Sequence, residues 1–254
     1  ERERRIHCGF RPPRPGSGGA ERARRRAVRA SDPSAGELPS PPVLAAARLR
    51  DDCRDLTNPL DVERIVSLFL PFWGESSRHY DMDGIEAAGL GLIDELELAG
   101  DDAALAVLRG FAAVAHAPLA EASAAATERA RRAFTPEWVA HIGRAEATDA
   151  LALADPEGDG WSGLFIEYEY PDGARHSIGA YIDHDRGGIA KHVSLVKRID
   201  ELPPADGLPL ETVSVDDACA QLRAALAVTD PEVARVNGDS TWELGALAWA
   251  RVRE

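Results

Sequence analysis

The chain has 254 residues, 29 Lys and Arg against 43 Asp and Glu, a formal net charge of −14 and 44% hydrophobic residues. That balance excludes a collagen-like, disulfide-rich or wholly disordered chain. No stretch approaches the roughly 18 uncharged apolar residues that a membrane helix needs, the best (Ile65 to Trp73) being about half as long, so no membrane span is expected.

The average charge hides a split. Residues 1–30 hold ten Arg and three Glu, or +7, which leaves −21 on residues 31–254. A body that acidic repels nucleic-acid backbones, so no nucleic-acid partner is expected. The head lacks the apolar stretch of a secretory signal. The basic residues are 27 Arg to 2 Lys, a bias that suggests GC-rich coding, and the only methionine is Met82. Residues 1–30 are therefore read as a disordered head, foreign to the native protein if Val43 marks the true start. Residues 31–42 (SDPSAGELPSPP) read as a linker. Cys8, Cys53 and Cys219 stand far apart without a CxxC pair, so no disulfide framework or zinc cluster is expected, and a reducing, cytoplasmic location is.

The first helix is expected over Val43 to Asp55. A second starts at Thr57 or Asn58 as cap with Pro59 at its first position, and its Val62, Ile65, Val66 and Phe69 fall on one face, read as core. Pro71 ends or kinks it. Helices follow at Asp83 to Ala99, Asp101 to Ala115 and Pro118 to Phe134, the last offering Ala122, Ala126, Ala130 and Ala133 on its inner side. Short connections make them antiparallel neighbours. A short helix opens at Thr135-Pro136-Glu137-Trp138.

After Arg144 the period changes to alternation, which predicts strands at Glu146 to Ala154, Gly163 to Tyr170, Ala174 to Asp183 and Ile189 to Val196. A three-residue Pro171-Asp172-Gly173 loop sets Leu164 opposite Ala180, Ile166 opposite Ile178 and Tyr168 opposite His176 on the core side. The other side pairs Glu169 with Arg175 and Phe165 with Gly179, and is half wet. A four-residue second loop places Ile178 by Leu195 and Ala180 by Val193 on the same core face. A capping box at Ser214-Val215-Asp216-Asp217 then opens a helix to about Val228. The last helix starts at Ser240 or Thr241, with Trp242, Ala246 and Trp249 as its stripe. The fold class is therefore α+β: a helical half (43–134), then a four-stranded antiparallel meander with two C-terminal helices packed on it (135–254).

His176, His184 and His192 recur every eight residues. The first two share a strand, which sets them roughly 26 Å apart, so no three-histidine metal site is expected. The hairpin Asp183 to His192 gathers two carboxylates, two imidazoles and two bases, a set that can do acid–base work. A polar tip also needs Asp and Gly as turn formers, and consecutive strand residues face opposite ways, so no catalytic residue is assigned. Asp155 to Gly160 starts like a calcium loop but has Ile166 where a bidentate Glu belongs, and reads as a turn. Phosphate-loop, dinucleotide and GxSxG patterns are incomplete or missing, and no cofactor is expected.

Trp138, Tyr168-Glu169-Tyr170 and Ile182 to Lys191, with Asp55 to Glu63 (DLTNPLDVE), resemble a family of uncharacterised proteins from high-GC bacteria. The resemblance runs from about Val43 to the C-terminus. It implies that residues 1–42 lie outside the domain and transfers no catalytic residue. The function expected is a non-enzymatic binding or regulatory protein with a protein partner, possibly basic. Its candidate surface is Trp161, Phe165, Tyr181, Asp183, His184, Asp185, Arg186, Lys191 and His192. One alternative is a hydrolase-like enzyme using the Asp183–His192 hairpin on a small polar substrate. Another is an immunity or antitoxin-like protein that blocks a basic toxin.

Overall fold

The computed structural model describes residues 41–70, 82–130, 135–154, 160–196, 198–201 and 210–253. The Arg-rich head, the linker to residue 40, Pro71, Ala133 and the calcium-like Asp155–Asp159 segment lie outside them. Residues Ser40–Glu254 group as one unit. Among the described residues the helices are α1 (Pro41–Cys53), α2 (Pro59–Phe69), α3 (Met82–Ala99), α4 (Asp102–Val114) and α5 (Ala117–Ala130), followed after the sheet by α6 (Val215–Val228), α7 (Pro231–Asn237) and α8 (Thr241–Val252). The strands are β1 (Glu146–Ala154), β2 (Trp161–Glu169), β3 (Arg175–Asp183), β4 (Ile189–Val196) and β5 (Leu210–Thr212), and a 3₁₀ turn at Glu137–His141 joins the halves. The class is α+β as expected. None of these helices is long and apolar enough to cross a membrane.

Capping chemistry places the helix starts. Asn58 Oδ1 accepts the Leu60 N–H at 2.9 Å, with Pro59 in the first turn of α2. Asp101 Oδ1 accepts the Ala104 N–H at 2.8 Å to cap α4, and Oδ2 takes Arg50 Nε at 3.1 Å, which ties α1 to the same point. The hydrogen bond from the Arg50 guanidinium holds the Asp101 carboxyl below its ordinary pKa. Helix α4 is the centre of the helical half: Ala104 to Leu108, Phe111 and Val114 are all buried, against α1, α2, α3 and α5. Gly110 permits its crossing with α2, since a Cβ there would stand 2.8 Å from Val66 Cγ2.

The core face of α2 differs from the one its period predicts. Val62 and Val66 are buried, but Ile65 is half-buried and Phe69 is 36% exposed, while Glu63 and Ser67 are completely buried. The cause is α8, which packs along the flank that carries these polar residues. Ser67 Oγ donates to Glu243 O at 3.0 Å and accepts the Leu247 N–H at 3.2 Å. Helix α8 is covered on more than one side, so its buried set is Thr241, Gly245, Ala246, Leu247, Ala248 and Val252, with Trp242 and Trp249 only half-buried.

The sheet is antiparallel with strand order β4-β3-β2-β1-β5. The register of its central hairpin is the one the turn predicts, with Leu164 opposite Ala180, Ile166 opposite Ile178, Tyr168 opposite His176 and Glu169 opposite Arg175. Ile178 also stands by Leu195 and Ala180 by Val193. Two corrections concern the second hairpin and the strand count. The second loop takes in His184 as well, and a bulge at Lys191 absorbs the extra residue, so Ile182 faces Ala190. The fifth strand, β5, has only three residues and no alternation of its own; it forms because β1 has a free edge to pair with. The C-terminal helices also number three, because Asp230 caps Pro231 to open α7.

Helices α6 and α8 cover the inner face of the sheet. They also hold its β4 edge: Ala190 donates its N–H to Thr229 Oγ1 at 2.8 Å and accepts from Thr241 Oγ1 at 2.9 Å, and Ser240 Oγ reaches Val193 O at 3.0 Å. Side chains thus occupy main-chain groups that would otherwise template another strand. β4 and β5 lie at opposite edges of the sheet, and part of the segment between them is described. Its 3₁₀ turn at Ile199–Glu201 packs on β1 and β2, and Ile199 N donates to Glu167 Oε2 at 3.0 Å. The outer face is therefore less wet than alternation alone predicts.

Candidate functional site

The predicted surface divides into a row, a turn and a separate pair. Period-two geometry puts Trp161, Phe165, Tyr181 and His192 on the outer face. Trp161 stacks on Tyr181 with ring centroids 5.3 Å apart, and Tyr181 meets His192 at 6.2 Å. His192 is exposed and the other two rings are half-buried, so the row offers aromatic surface to solvent. Phe165 lies over Gly179, where a Cβ would stand 3.1 Å from the ring.

The turn carries the charged candidates. Asp183 Oδ1 accepts the Arg186 N–H at 3.1 Å, and its Oδ2 lies 3.7 Å from Arg186 Nε. Asp185 leans on Gly160, whose φ of +76° disfavours any other residue; a Cβ there would fall 2.4 Å from Asp185 Oδ1 and push that exposed side chain aside. His184, Asp185 and Arg186 are exposed, and Lys191 is half-buried at the bulge. His184 turns to the other side, where its Nε2 meets Ser162 Oγ at 2.9 Å. A hydrolytic Ser–His pair needs a third group to orient the imidazole. Among the described residues no carboxylate bonds to His184 or His192, and no cluster of His, Cys, Asp and Glu gathers to hold a metal.

A second constellation, not foreseen in sequence, lies on the inner face between α2, α8 and the β2–β3 hairpin. Glu63 Oε1 accepts the Gly143 N–H at 2.7 Å, while Oε2 accepts from Tyr170 Oη at 2.5 Å and from the Arg251 guanidinium. The same guanidinium donates to Tyr170 Oη at 2.8 Å and stands 5.7 and 5.6 Å from the ring centroids of Tyr168 and Tyr170. Side-chain exposure is 5% for Arg251 and 0% for Glu63. Burial works against the charge on Arg251, but Glu63 and the tyrosines outweigh it and raise its pKa. Burial likewise pushes the Tyr168 and Tyr170 hydroxyls up.

His176 completes the cluster as a neutral ring. It packs beside Tyr168 and Tyr170 at 5.6 and 5.3 Å, with neither ring nitrogen hydrogen-bonded among the described residues. Burial, helped by the nearby Arg251 charge, pushes its pKa down to about 3. Beside Arg251 opens a pocket of about 410 Å³, which Asp216, Cys219 and Arg223 also line. The Cys219 thiol interacts with the Tyr168 hydroxyl, and burial raises its pKa.

In sequence Glu63 stands only beside the apolar face of α2, next to Val62 and three residues before Val66, and nothing local marks that flank as buried. Arg251 had no local mark either. No family model, curated protein or solved structure matches the chain.

Proposed function

We propose that the protein is a non-catalytic binding protein that presents the outer face of its sheet to a basic protein partner. The observation that carries this reading is the row Trp161–Tyr181–His192, aromatic, partly exposed and continuous with the exposed hairpin tip. Aromatic side chains offer large contact area at low entropic cost, which is why they anchor interfaces. The charge of −21 on residues 31–254 supplies long-range attraction for a basic partner and repels acidic ones. An immunity protein is the special case in which that partner is a toxin. The free Cys53 and Cys219 thiols support a reducing, cytoplasmic setting.

The test is a pull-down from the native host with the immobilised full chain and with a Trp161→Ala/Tyr181→Ala variant, at low and high salt. A partner retained at low salt, released by high salt and lost with the double variant is the expected result. Recovery of no specific partner, or equal recovery by the variant, overturns the proposal.

A further inference from the structure

We propose that Asn237-Gly238 is a spontaneous deamidation site, gated by the C-cap of α7, whose product loosens the hold on the β4 edge. The chain has two asparagines, Asn58 and Asn237. The uncatalysed reaction is attack on the side-chain amide by the nitrogen of the following residue, which gives up its proton. Pro59 has no such proton, so Asn58 is closed to it. Gly238 has one, and adds no side chain to crowd the ring that forms. Asn237 and Gly238 are exposed, and no described atom beyond the chain neighbours lies within 4 Å of where a Gly238 Cβ would stand. The step needs only water besides the chain itself. Gly238 N bonds to Asn237 Cγ, the Cγ–Nδ2 bond breaks, and Nδ2 leaves as ammonia with the Gly238 proton. Water then opens the cyclic imide, giving aspartate or its isomer with the main chain running through Cβ and Cγ.

The fold ties the attacking nitrogen down. Asn237 is the last residue of α7, and Gly238 caps it in the left-handed region at φ +73°. The Gly238 N–H donates to Arg235 O at 3.2 Å and the Asp239 N–H to Ala234 O at 2.9 Å, the paired bonds of a Schellman cap. With its proton shared with a carbonyl and Asn237 held helical, Gly238 N reaches Cγ only after the end of α7 opens. A helix of seven residues has little cooperativity of its own, and such ends open locally. Either product adds a carboxylate to the last turn of α7, where the helix dipole opposes it. The isomer also lengthens the main chain by one atom, so the two cap bonds lose their register. The cap leads directly into Ser240 and Thr241, whose hydroxyls donate to Val193 O at 3.0 Å and Ala190 O at 2.9 Å. A cap out of register therefore pulls on the two side chains that cover the β4 edge.

Mass spectrometry with peptide mapping tests the assignment on the full chain, aged in mildly alkaline buffer either folded or unfolded in guanidinium chloride. The unfolded chain should deamidate at Asn237 at least about tenfold faster than the folded one, with Asn58 intact in both. Asp230→Ala removes the carboxylate that accepts from the Glu232 and Val233 N–H groups at the start of α7. It should speed deamidation of the folded chain about fivefold and leave the unfolded rate unchanged. The wild-type comparison needs no variant to fold. The deamidated fraction, separated by ion exchange, should exchange the amide hydrogens of Ile189–Val196 faster than the unmodified fraction. No deamidation of the unfolded chain overturns the site. Equal folded and unfolded rates, or indifference to Asp230→Ala, overturn the gate, and unchanged exchange in β4 overturns the link to its edge.

Discussion

Two glutamates are buried on opposite sides of the same sheet, and their surroundings differ. Glu63, on the inner side, is wholly buried and its cation Arg251 is 5% exposed. Glu167, on the outer face, is also nearly buried at 6% of its side chain, but its cation Arg175 is 40% exposed. Each carboxylate has its oxygens hydrogen-bonded: Glu63 by Gly143, Tyr170 and Arg251, Glu167 by Arg175 and the Ile199 N–H. Burial of the carboxylate alone therefore does not set the energetic stake. What differs is whether the partner can return to water once its glutamate is gone, which Arg175 can and Arg251 cannot.

The largest expected effect follows from that difference. Glu63→Gln should cost about 3–5 kcal/mol in urea unfolding at pH 7, because it leaves Arg251 as an uncompensated charge in the core. Removing both charges in a Glu63→Leu/Arg251→Met variant should recover part of that loss, since it strands no charge but leaves the Gly143 N–H and the Tyr170 hydroxyl without their acceptor. A Glu63→Gln variant as stable as the wild type would erase the contrast between the two faces.

His176 sharpens the contrast through pH. Its pKa is about 3 when folded against an ordinary 6.5. The unfolded chain therefore binds the proton more readily, and the group's contribution is complete above pH 6.5 and is lost as pH falls toward 3. The loss at pH 5 should be about 2 kcal/mol, read as the extra fall in stability between pH 7 and 5 relative to a His176→Phe variant. Parallel pH profiles for the two proteins would show that the ring does not sit in the neutral niche between Tyr168 and Tyr170.

The sheet was far more legible in sequence than the charged cluster buried behind it. Its register follows from one three-residue turn and a period of two, which together put Trp161, Phe165 and Tyr181 on a common face. The bulge at Lys191 could not, because Asp183 to Gly188 is equally compatible with loops of four and five residues. Helix α7 was legible but missed, as Asp230-Pro231 repeats the cap-and-proline logic of Asn58-Pro59. The Glu63–Arg251 pair was hidden for a physical reason. Its partners are 188 residues apart, and each alone has the character of a solvated helix face. Periodicity identifies which side of a helix is apolar; it does not reveal that a second helix will cover the neighbouring polar flank, as α8 covers Glu63 and Ser67.

The smallest expected effect is at Glu167, and it is the control that gives the comparison its meaning. Glu167→Gln keeps an acceptor oxygen for either the Ile199 N–H or Arg175 while removing the charge. Arg175 still has Glu169 at 2.5 Å and water on its exposed side, so no charge is stranded. The cost should be no more than about 1 kcal/mol in the same urea assay, the range of surface ion pairs. The variant should also lose less stability than wild type on adding salt, because the pair it removes is partly screened. A loss as large as that of Glu63→Gln would mean that the 3₁₀ turn at Ile199–Glu201 depends on the Glu167 carboxylate to hold its place, so that the outer face is organised by a buried charge as much as the inner one.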